Sequence, residues 1–199
     1  MRMLLPGILL LFSASELMAL SPQKLTPDAF PSLPAGQEIH KSIVKKGDNL
    51  GLITVIGRIN ASPDEVYGAL TDSSKVQQLF PKIKKNEVRM KKGNLYHFYS
   101  ELVFPFPLQD RWSLNETVFH PGLKAIEWRR IDGSIRVNEG AWRLFPDGEG
   151  TLMIYQVRFD PGLPLVPDWL IEYGMKQEAP SIIVNLRSYF KNRQTASRG

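Results

Sequence analysis

The sequence of 199 residues contains no cysteine. This absence excludes a disulfide framework, thiol catalysis and cysteine-based zinc sites. Only three histidines are present, and His40, His97 and His120 do not have the spacing of an HExxH zinc helix. The sequence therefore predicts no metal site and no cofactor.

Motifs for nucleotide binding and for nucleophilic catalysis are also missing. The chain has no P-loop, no GxGxxG turn and no GxSxG elbow. Glu101, Glu116 and Asp110 beside Arg111 are candidates for acid–base chemistry, but solvated or paired carboxylates explain them equally well. We therefore assign no catalytic residue, and the sequence favours a function without catalysis while leaving an enzyme open.

Long apolar runs are confined to the N-terminus. Arg2 is followed by an apolar run up to Phe12 and then by small and polar residues up to Ala19, which is typical of a secretory signal peptide. The run is short for a membrane span and is interrupted by a Pro-Gly pair. Residues 1–20 are therefore predicted to be a signal peptide of a periplasmic or secreted bacterial protein, and an uncleaved anchor is the alternative.

The remaining chain divides into three parts. Residues 21–38 contain four prolines and are predicted to form an extended linker outside the core. Residues 39–192 form the predicted folded domain, and residues 193–199 form a basic tail.

Two short helices are predicted behind an early strand. Ser62 can cap a helix whose first turn contains a proline and two acidic residues, 63–65. A second short helix runs from Lys75 to Phe80 and is ended by Pro81. Both helices are too short to be stable alone, so they must pack on something larger.

That larger element is a predicted antiparallel sheet. A strand over residues 51–60, with a hairpin partner over 39–46, precedes the helices, and the turns after them delimit five more strands. The last element is a helix from about Asp168 to Asn192, in which Pro180 introduces a kink. Its apolar stripe consists of Ile182, Ile183, Leu186, Tyr189 and Phe190.

This order resembles the START and birch-allergen superfamily, which includes polyketide cyclases and coenzyme Q-binding proteins. The resemblance extends from about Gly51 to Asn192 and depends on the segments ASPDEVYGALTD, PFPLQDR, GAWRLFPDGEGTLMIYQVRFDPG and LVPDWLIEYGMK. It implies an α+β helix-grip fold: a curved antiparallel sheet wrapped around the long C-terminal helix, with two short helices after the first strand. It also implies a hydrophobic cavity between sheet and helix.

Strand alternation predicts which residues face that cavity. If Val103 lies near Arg111, one face of the sheet stays apolar through five strands. The predicted ligand-binding residues are Tyr96, Phe98, Leu102, Trp112, Leu114, Trp128, Val137, Tyr155, Val157 and Phe159 from the sheet, with Ile182 and Leu186 from the helix. A shift of one residue in a hairpin would exchange the faces, and the alternative to a cavity is a filled core.

Four charged residues fall on the same predicted face: Glu116, Arg130, Glu139 and Arg143. A buried charge must be paired, lie at the rim or hold the polar head of a ligand. Glu116 and Arg130 are predicted polar anchors, and the pair Glu101 and Arg111 is the second choice.

These observations predict binding, and by extension transport, of a lipid or other hydrophobic small molecule. Trp169 and the loop 161–164 are candidate gate elements. The net charge of +5 favours transient contact with an anionic membrane, and no nucleic-acid motif is present. The alternatives are a cyclase, dehydratase or hydrolase using the same cavity, and a protein-interaction module of the cell envelope. The sequence does not determine the oligomeric state.

Overall fold

The computed structural model describes residues 20–45, 50–104, 108–164 and 166–196. Nearly all of the predicted signal peptide lies outside these residues. The strands are β1 Ile39–Val44, β2 Leu52–Ile59, β3 Ile83–Lys92, β4 Leu95–Leu102, β5 Arg111–His120, β6 Ala125–Gly133, β7 Val137–Asp147 and β8 Gly150–Asp160. The helices are α1 Pro63–Thr71, α2 Val76–Leu79, α3 Asp168–Glu178 and α4 Ser181–Ala196.

All eight strands form one antiparallel sheet in the order β1-β2-β8-β7-β6-β5-β4-β3. The early hairpin β1-β2 joins the sheet beside the last strand, so both halves of the chain contribute to one curved surface. The helix-grip α+β fold is thereby confirmed. Six strands follow α2, where five were predicted, because the five recognised turns separate six strands.

The predicted start of α1 is confirmed as a capping box. The Ser62 hydroxyl accepts from the Glu65 N–H at 3.4 Å, and the Glu65 carboxylate accepts from the Ser62 N–H at 2.9 Å. The hydrogen bond from the Ser62 N–H holds the pKa of Glu65 below its ordinary value. The helix buries Val66, Ala69 and Leu70, which attach it to the sheet.

The C-terminal helix is divided at Pro180, as predicted. Proline lacks an N–H and cannot continue the hydrogen-bond ladder of α3, so α4 begins immediately after it. The whole predicted apolar stripe of α4 is buried, and Ile183 and Leu186 are 0% exposed. α4 is therefore the helix that the sheet grips.

The predicted linker, residues 21–38, is partly wrong. It forms two short 3₁₀ turns, Pro22–Lys24 and Pro27–Ala29, and Leu25 is 2% exposed. Leu25 packs in a second apolar cluster with Ile56, Ala141, Leu152 and Ile154. These four residues lie on the convex face of the sheet and form an apolar patch that would face water if Leu25 did not cover it. Residues 21–38 are therefore part of the fold.

We predict that α4 shows a sharp contrast between its two faces. Leu186→Ala should lower the free energy of unfolding by about 2–5 kcal/mol, because it leaves a cavity in a close-packed region. The control is Val184→Ala. Val184 lies on the outer side of the same helix and is 48% exposed, so its truncation should change the free energy of unfolding by less than about 0.5 kcal/mol. Urea unfolding followed by circular dichroism measures both, and equal effects would contradict this description of α4.

Candidate ligand-binding cavity

A cavity of about 840 Å³ lies between the concave face of the sheet and the helices. Protein interiors rarely contain voids much larger than a water molecule. Small-molecule sites usually enclose about 300–1,000 Å³. The cavity therefore has the size of a ligand site and is not a packing defect.

The cavity wall is predominantly apolar and is formed by side chains of both the sheet and the helices. The sheet contributes Phe98, Phe119, Trp128, Trp142, Val157 and Phe159, and the helices contribute Leu70, Ile171, Met175 and Ile182. α4 serves two surfaces, since Ile182 faces the cavity while Ile183 packs against the sheet. The Cδ1 atom of Ile183 lies only 2.9 Å from where a Cβ on Gly57 of β2 would be.

The strand register between β4 and β5 differs by one residue from the prediction. Leu102, and not Val103, lies opposite Arg111. As a result Trp112 and Leu114 point to the convex face, and two of the three residues of β5 that line the cavity, Asn115 and Thr117, are polar. The apolar alternation of β5 was misleading, because Ser113, Asn115 and Thr117 are buried on the concave side.

Seven of the twelve predicted ligand-binding residues line the cavity. They are Phe98, Leu102, Trp128, Tyr155, Val157, Phe159 and Ile182. The other five, Tyr96, Trp112, Leu114, Val137 and Leu186, are not part of the wall. The one-residue shift explains Trp112 and Leu114; Val137 precedes the inward-facing Asn138, and Leu186 is fully buried core. Tyr96 stacks on Phe98 with 5.6 Å between ring centroids, outside the lining.

None of the four predicted polar anchors lines the cavity. The Glu116 carboxylate pairs with Arg129 at 2.7 Å, and the Tyr99 hydroxyl donates to Glu101 at 2.7 Å. Arg111 and Arg130 share the concave side by register, but they do not reach the wall, and Arg130 donates to the Gly133 carbonyl at 2.7 Å. Of the other charged residues on the predicted face, Glu139 pairs with Arg158, and Arg143 stacks on Phe145. Glu116 lies outside because the register shift moves the even positions of β5 to the convex face, and Glu139 and Arg143 lie outside because the even positions of β7, such as Asn138 and Trp142, face the cavity.

A row of uncharged polar side chains crosses the concave face instead. The Ser100 hydroxyl donates to Asn86 at 2.7 Å, and the Asn115 amide donates to the Ser113 hydroxyl at 3.0 Å. Asn138 accepts from the Trp128 indole N–H at 3.0 Å. Sequence reasoning missed this row, although the alternation of Ser, Asn and Thr along β5 was a usable signal.

The Tyr155 hydroxyl also lies in the wall but takes no part in the hydrogen bonds of this row. Its ring stacks on Trp128 at 6.0 Å, and the side chain keeps some accessible surface because it borders the cavity. Burial raises the pKa of Tyr155 far above that of a free phenol, so the group stays neutral. Among the residues that the structure describes, its hydroxyl has no hydrogen-bond partner.

The cavity opens where α3, the turn before β3 and the end of β4 meet. Lys82 and Glu178 pair across this mouth at 2.6 Å. Of the predicted gate elements, Pro161 and Leu163 line the cavity, whereas Trp169 does not and is 66% exposed. Tyr173, one turn further along α3, is 60% exposed.

Two searches of the described residues give negative results. Within the ranges described above, no three histidine, aspartate or glutamate side chains are grouped so that they could hold a metal ion. In the same part of the chain, no helix combines the length and apolar character needed to cross a membrane.

Solved structures of three proteins share this fold. A STAR-related lipid transfer protein from Xanthomonas axonopodis is 22% identical with a TM-score of 0.66, covering 80% of this chain and 98% of that one. The Zhui aromatase/cyclase from a Streptomyces species is 17% identical with a TM-score of 0.63, covering 74% and 98%. Human STARD10 is 13% identical with a TM-score of 0.66, covering 82% and 76%. At these identities the similarity shows the fold alone.

The fold and the cavity define a START-type domain. Residues 53–191 match the model of the family described as polyketide cyclase / dehydrase and lipid transport. The match spans well over half of the chain, which therefore belongs to this family, and the predicted resemblance is confirmed. A comparison with curated protein sequences gives no match.

We predict that filling the cavity from the sheet abolishes its capacity for a ligand. Thr117→Phe places an aromatic ring in the cavity and should weaken binding of the neutral dye Nile red by roughly ten-fold or more, about 1.4 kcal/mol. Val118→Phe, the next residue on the opposite face, should leave dye binding unchanged. A fluorescence titration of both variants measures this, and equal affinities would show that the dye does not occupy the cavity.

Proposed function

We propose that this protein binds a lipid or other hydrophobic small molecule in its internal cavity. The observation that supports this proposal is an apolar space of about 840 Å³ inside a single helix-grip domain, with a mouth at the surface. Taking apolar ligand surface out of water stabilises a complex by about 25 cal/mol per Å² buried, before the costs of association. The family includes both lipid transport proteins and cyclases, so the placement of charged groups bears on which function applies.

The distribution of charges favours binding over catalysis. A cyclase, dehydratase or hydrolase would need an acid or a base close to the reacting atoms. Among the described residues of the wall, the charged ones are Lys82 and Glu178, which neutralise each other at the mouth. The deeper wall carries hydroxyl and amide groups, which suit recognition of a ligand more than proton transfer.

The proposed function is tested by identifying the molecules that co-purify with the protein. We expect organic extracts of protein purified from its native compartment to contain one class of hydrophobic molecule at near-stoichiometric amount, identified by mass spectrometry. Extracts of Thr117→Phe, prepared in parallel, should lack it, and Val118→Phe should retain it. Extracts without such a molecule, together with no binding of Nile red, would favour the protein-interaction module instead.

We further propose that α3 acts as the gate of the cavity. The helix lies between Pro180 and the loop 161–164, and polar contacts hold it at two points. Glu172 pairs with Lys45 at 2.8 Å and accepts from the Gly51 N–H at 3.0 Å, which attaches α3 to the β1-β2 hairpin. The pair of Lys82 and Glu178 holds its other end. Ligand entry requires these contacts to open, because α3 supplies part of the wall.

We predict that Glu172→Gln speeds ligand exchange near neutral pH. Burial raises the pKa of Glu172, but the hydrogen bonds from Lys45 and the Gly51 N–H outweigh it and hold the pKa below the ordinary value of 4.5. A lowered pKa means that the contact stabilises the closed gate above the ordinary pKa and is lost as pH falls through the lower one. Removing the charge should raise the Nile red dissociation rate roughly two- to five-fold at neutral pH, the effect expected of a partly exposed ion pair.

The control for this experiment is Glu149→Gln, in the exposed turn between β7 and β8, which should dissociate like the unmodified protein. Stopped-flow fluorescence measures the rates. As the pH falls through the lowered pKa of Glu172, the rates of Glu172→Gln and the unmodified protein should converge, since a protonated carboxyl no longer pairs. A constant difference at all pH values would contradict the role of the Glu172 charge.

We also propose that the side of the molecule that carries α3 and the cavity mouth contacts a membrane. Trp169 and Tyr173 are exposed on α3, close to the mouth, and aromatic residues of this kind favour the membrane–water interface. The positive net charge adds attraction to anionic lipid. The protein should co-sediment more strongly with phosphatidylglycerol vesicles than with phosphatidylcholine vesicles. The double variant Trp169→Ser/Tyr173→Ser should no longer co-sediment. Equal sedimentation of the double variant and the unmodified protein would contradict this proposal.

Export is proposed from residues 1–20 alone. Their pattern is that of a secretory signal peptide, and the absence of cysteine is compatible with an oxidising compartment. Fusing residues 1–38 to alkaline phosphatase, which is active only outside the cytoplasm, tests this. An inactive fusion would contradict export.

A further inference from the structure

The charged groups of the cavity wall are restricted to its mouth. The side chains of Lys82 and Glu178 are 59% and 47% exposed and lie 2.6 Å apart. Deeper in the wall, among the described residues, every polar lining side chain is a hydroxyl or a carboxamide except the indoles of Trp128 and Trp142. A ligand inside this space therefore meets no formal charge.

An ionised ligand head would be poorly accommodated there. Moving a carboxylate or a phosphate into an apolar space costs far more than moving a hydroxyl, unless a cation pairs with it. Arg130 shares the face of Asn115 by register, but its guanidinium donates to the Gly133 carbonyl and is not part of the wall. Arg111 lies on the same face of the sheet but is not part of the wall either.

Five of the neutral polar side chains of the wall, Asn86, Ser100, Asn115, Asn138 and Trp128, are hydrogen-bonded to other side chains of the concave face. The side-chain oxygen of Asn138 accepts from the Trp128 indole N–H at 3.0 Å. The side-chain NH₂ of Asn138 donates to the Ser113 hydroxyl and to the side-chain oxygen of Asn115, both at 3.3 Å. The Ser100 hydroxyl is used by Asn86. These contacts fix the amide groups in place and leave them little capacity for a strong additional bond.

The Tyr155 hydroxyl differs from these bonded groups in that, in the described part of the chain, no hydrogen bond engages it, a property that the Thr117 hydroxyl shares. The side chain is partly accessible where it borders the cavity, so its hydroxyl is available to a ligand that enters. The ring is held against Trp128, so the hydroxyl cannot move far in search of a partner. Its raised pKa keeps it protonated and thus able both to donate and to accept.

We propose that the ligand is a neutral lipid or polycyclic molecule that carries a hydroxyl or carbonyl oxygen, and that this oxygen hydrogen-bonds to the Tyr155 hydroxyl inside the cavity. The inference rests on the proposed binding function and narrows it to a chemical class. It separates uncharged alcohols and ketones from ionised fatty acids and from phospholipid heads.

Three twelve-carbon compounds test this class directly: dodecanol, dodecanoate and dodecane. Each is used to displace Nile red from the full protein at about pH 8, where a carboxyl group is ionised. Dodecanol should compete best. Dodecane lacks the polar group, and dodecanoate carries a charge that the wall does not neutralise.

The variant Tyr155→Phe removes only the hydroxyl. It should weaken dodecanol roughly two- to ten-fold, the range expected for one neutral hydrogen bond, and leave dodecane unchanged. Its melting temperature without ligand should equal or exceed that of the unmodified protein, because no internal hydrogen bond is lost. Tyr99→Phe, which removes a hydroxyl on the convex face, should leave dodecanol affinity unchanged.

The outcomes separate this inference from the proposed function. If no compound displaces the dye and Thr117→Phe binds it normally, the cavity is not a ligand site and both proposals fail. If dodecanoate binds more tightly than dodecanol and Arg130→Met abolishes that preference, the cavity binds anions and this inference alone fails. Equal dodecanol affinity in Tyr155→Phe and the unmodified protein would also overturn it.

Discussion

The close packing of α4 against β2 is the contact on which the rest of the structure depends. Ile183 can approach the strand only because position 57 is a glycine. The same helix contributes Ile182 to the cavity, so one element closes the core on one side and bounds the empty space on the other. The sheet curves around this helix, and the space remains where α3 and α2 complete the wall without filling it.

The cavity persists because its polar residues are arranged in mutually bonded pairs. A sheet face made only of large apolar side chains would favour collapse onto the helices. Here Ser100 with Asn86, and Asn138 with Trp128, satisfy their hydrogen bonds within the wall and hold neighbouring strands together. The wall is therefore ordered without needing the helices to fill the space.

Local signals in the sequence determined the helices well. The capping box at Ser62 and the break at Pro180 follow from one or two residues each, and both are confirmed. The face of β5 did not follow, because its apolar residues Trp112 and Leu114 point away from the cavity. Alternation reports which face of a strand is apolar, and a cavity wall that contains polar side chains reverses that rule. Glu116 was misplaced for the same reason, since it lies on the convex face and pairs with Arg129.

The short turn that buries Leu25 on the back of the sheet also fixes how the protein can be held. Residues 20–24 lead into Leu25, so the described chain begins within a few residues of that convex side, opposite the helices that bound the cavity. A support attached at residue 20 is therefore expected to hold the convex side and to leave the side of the cavity mouth facing solvent. The burial of Leu25 thus determines which face of the protein turns toward a sensor surface when the protein is attached through its N-terminal segment.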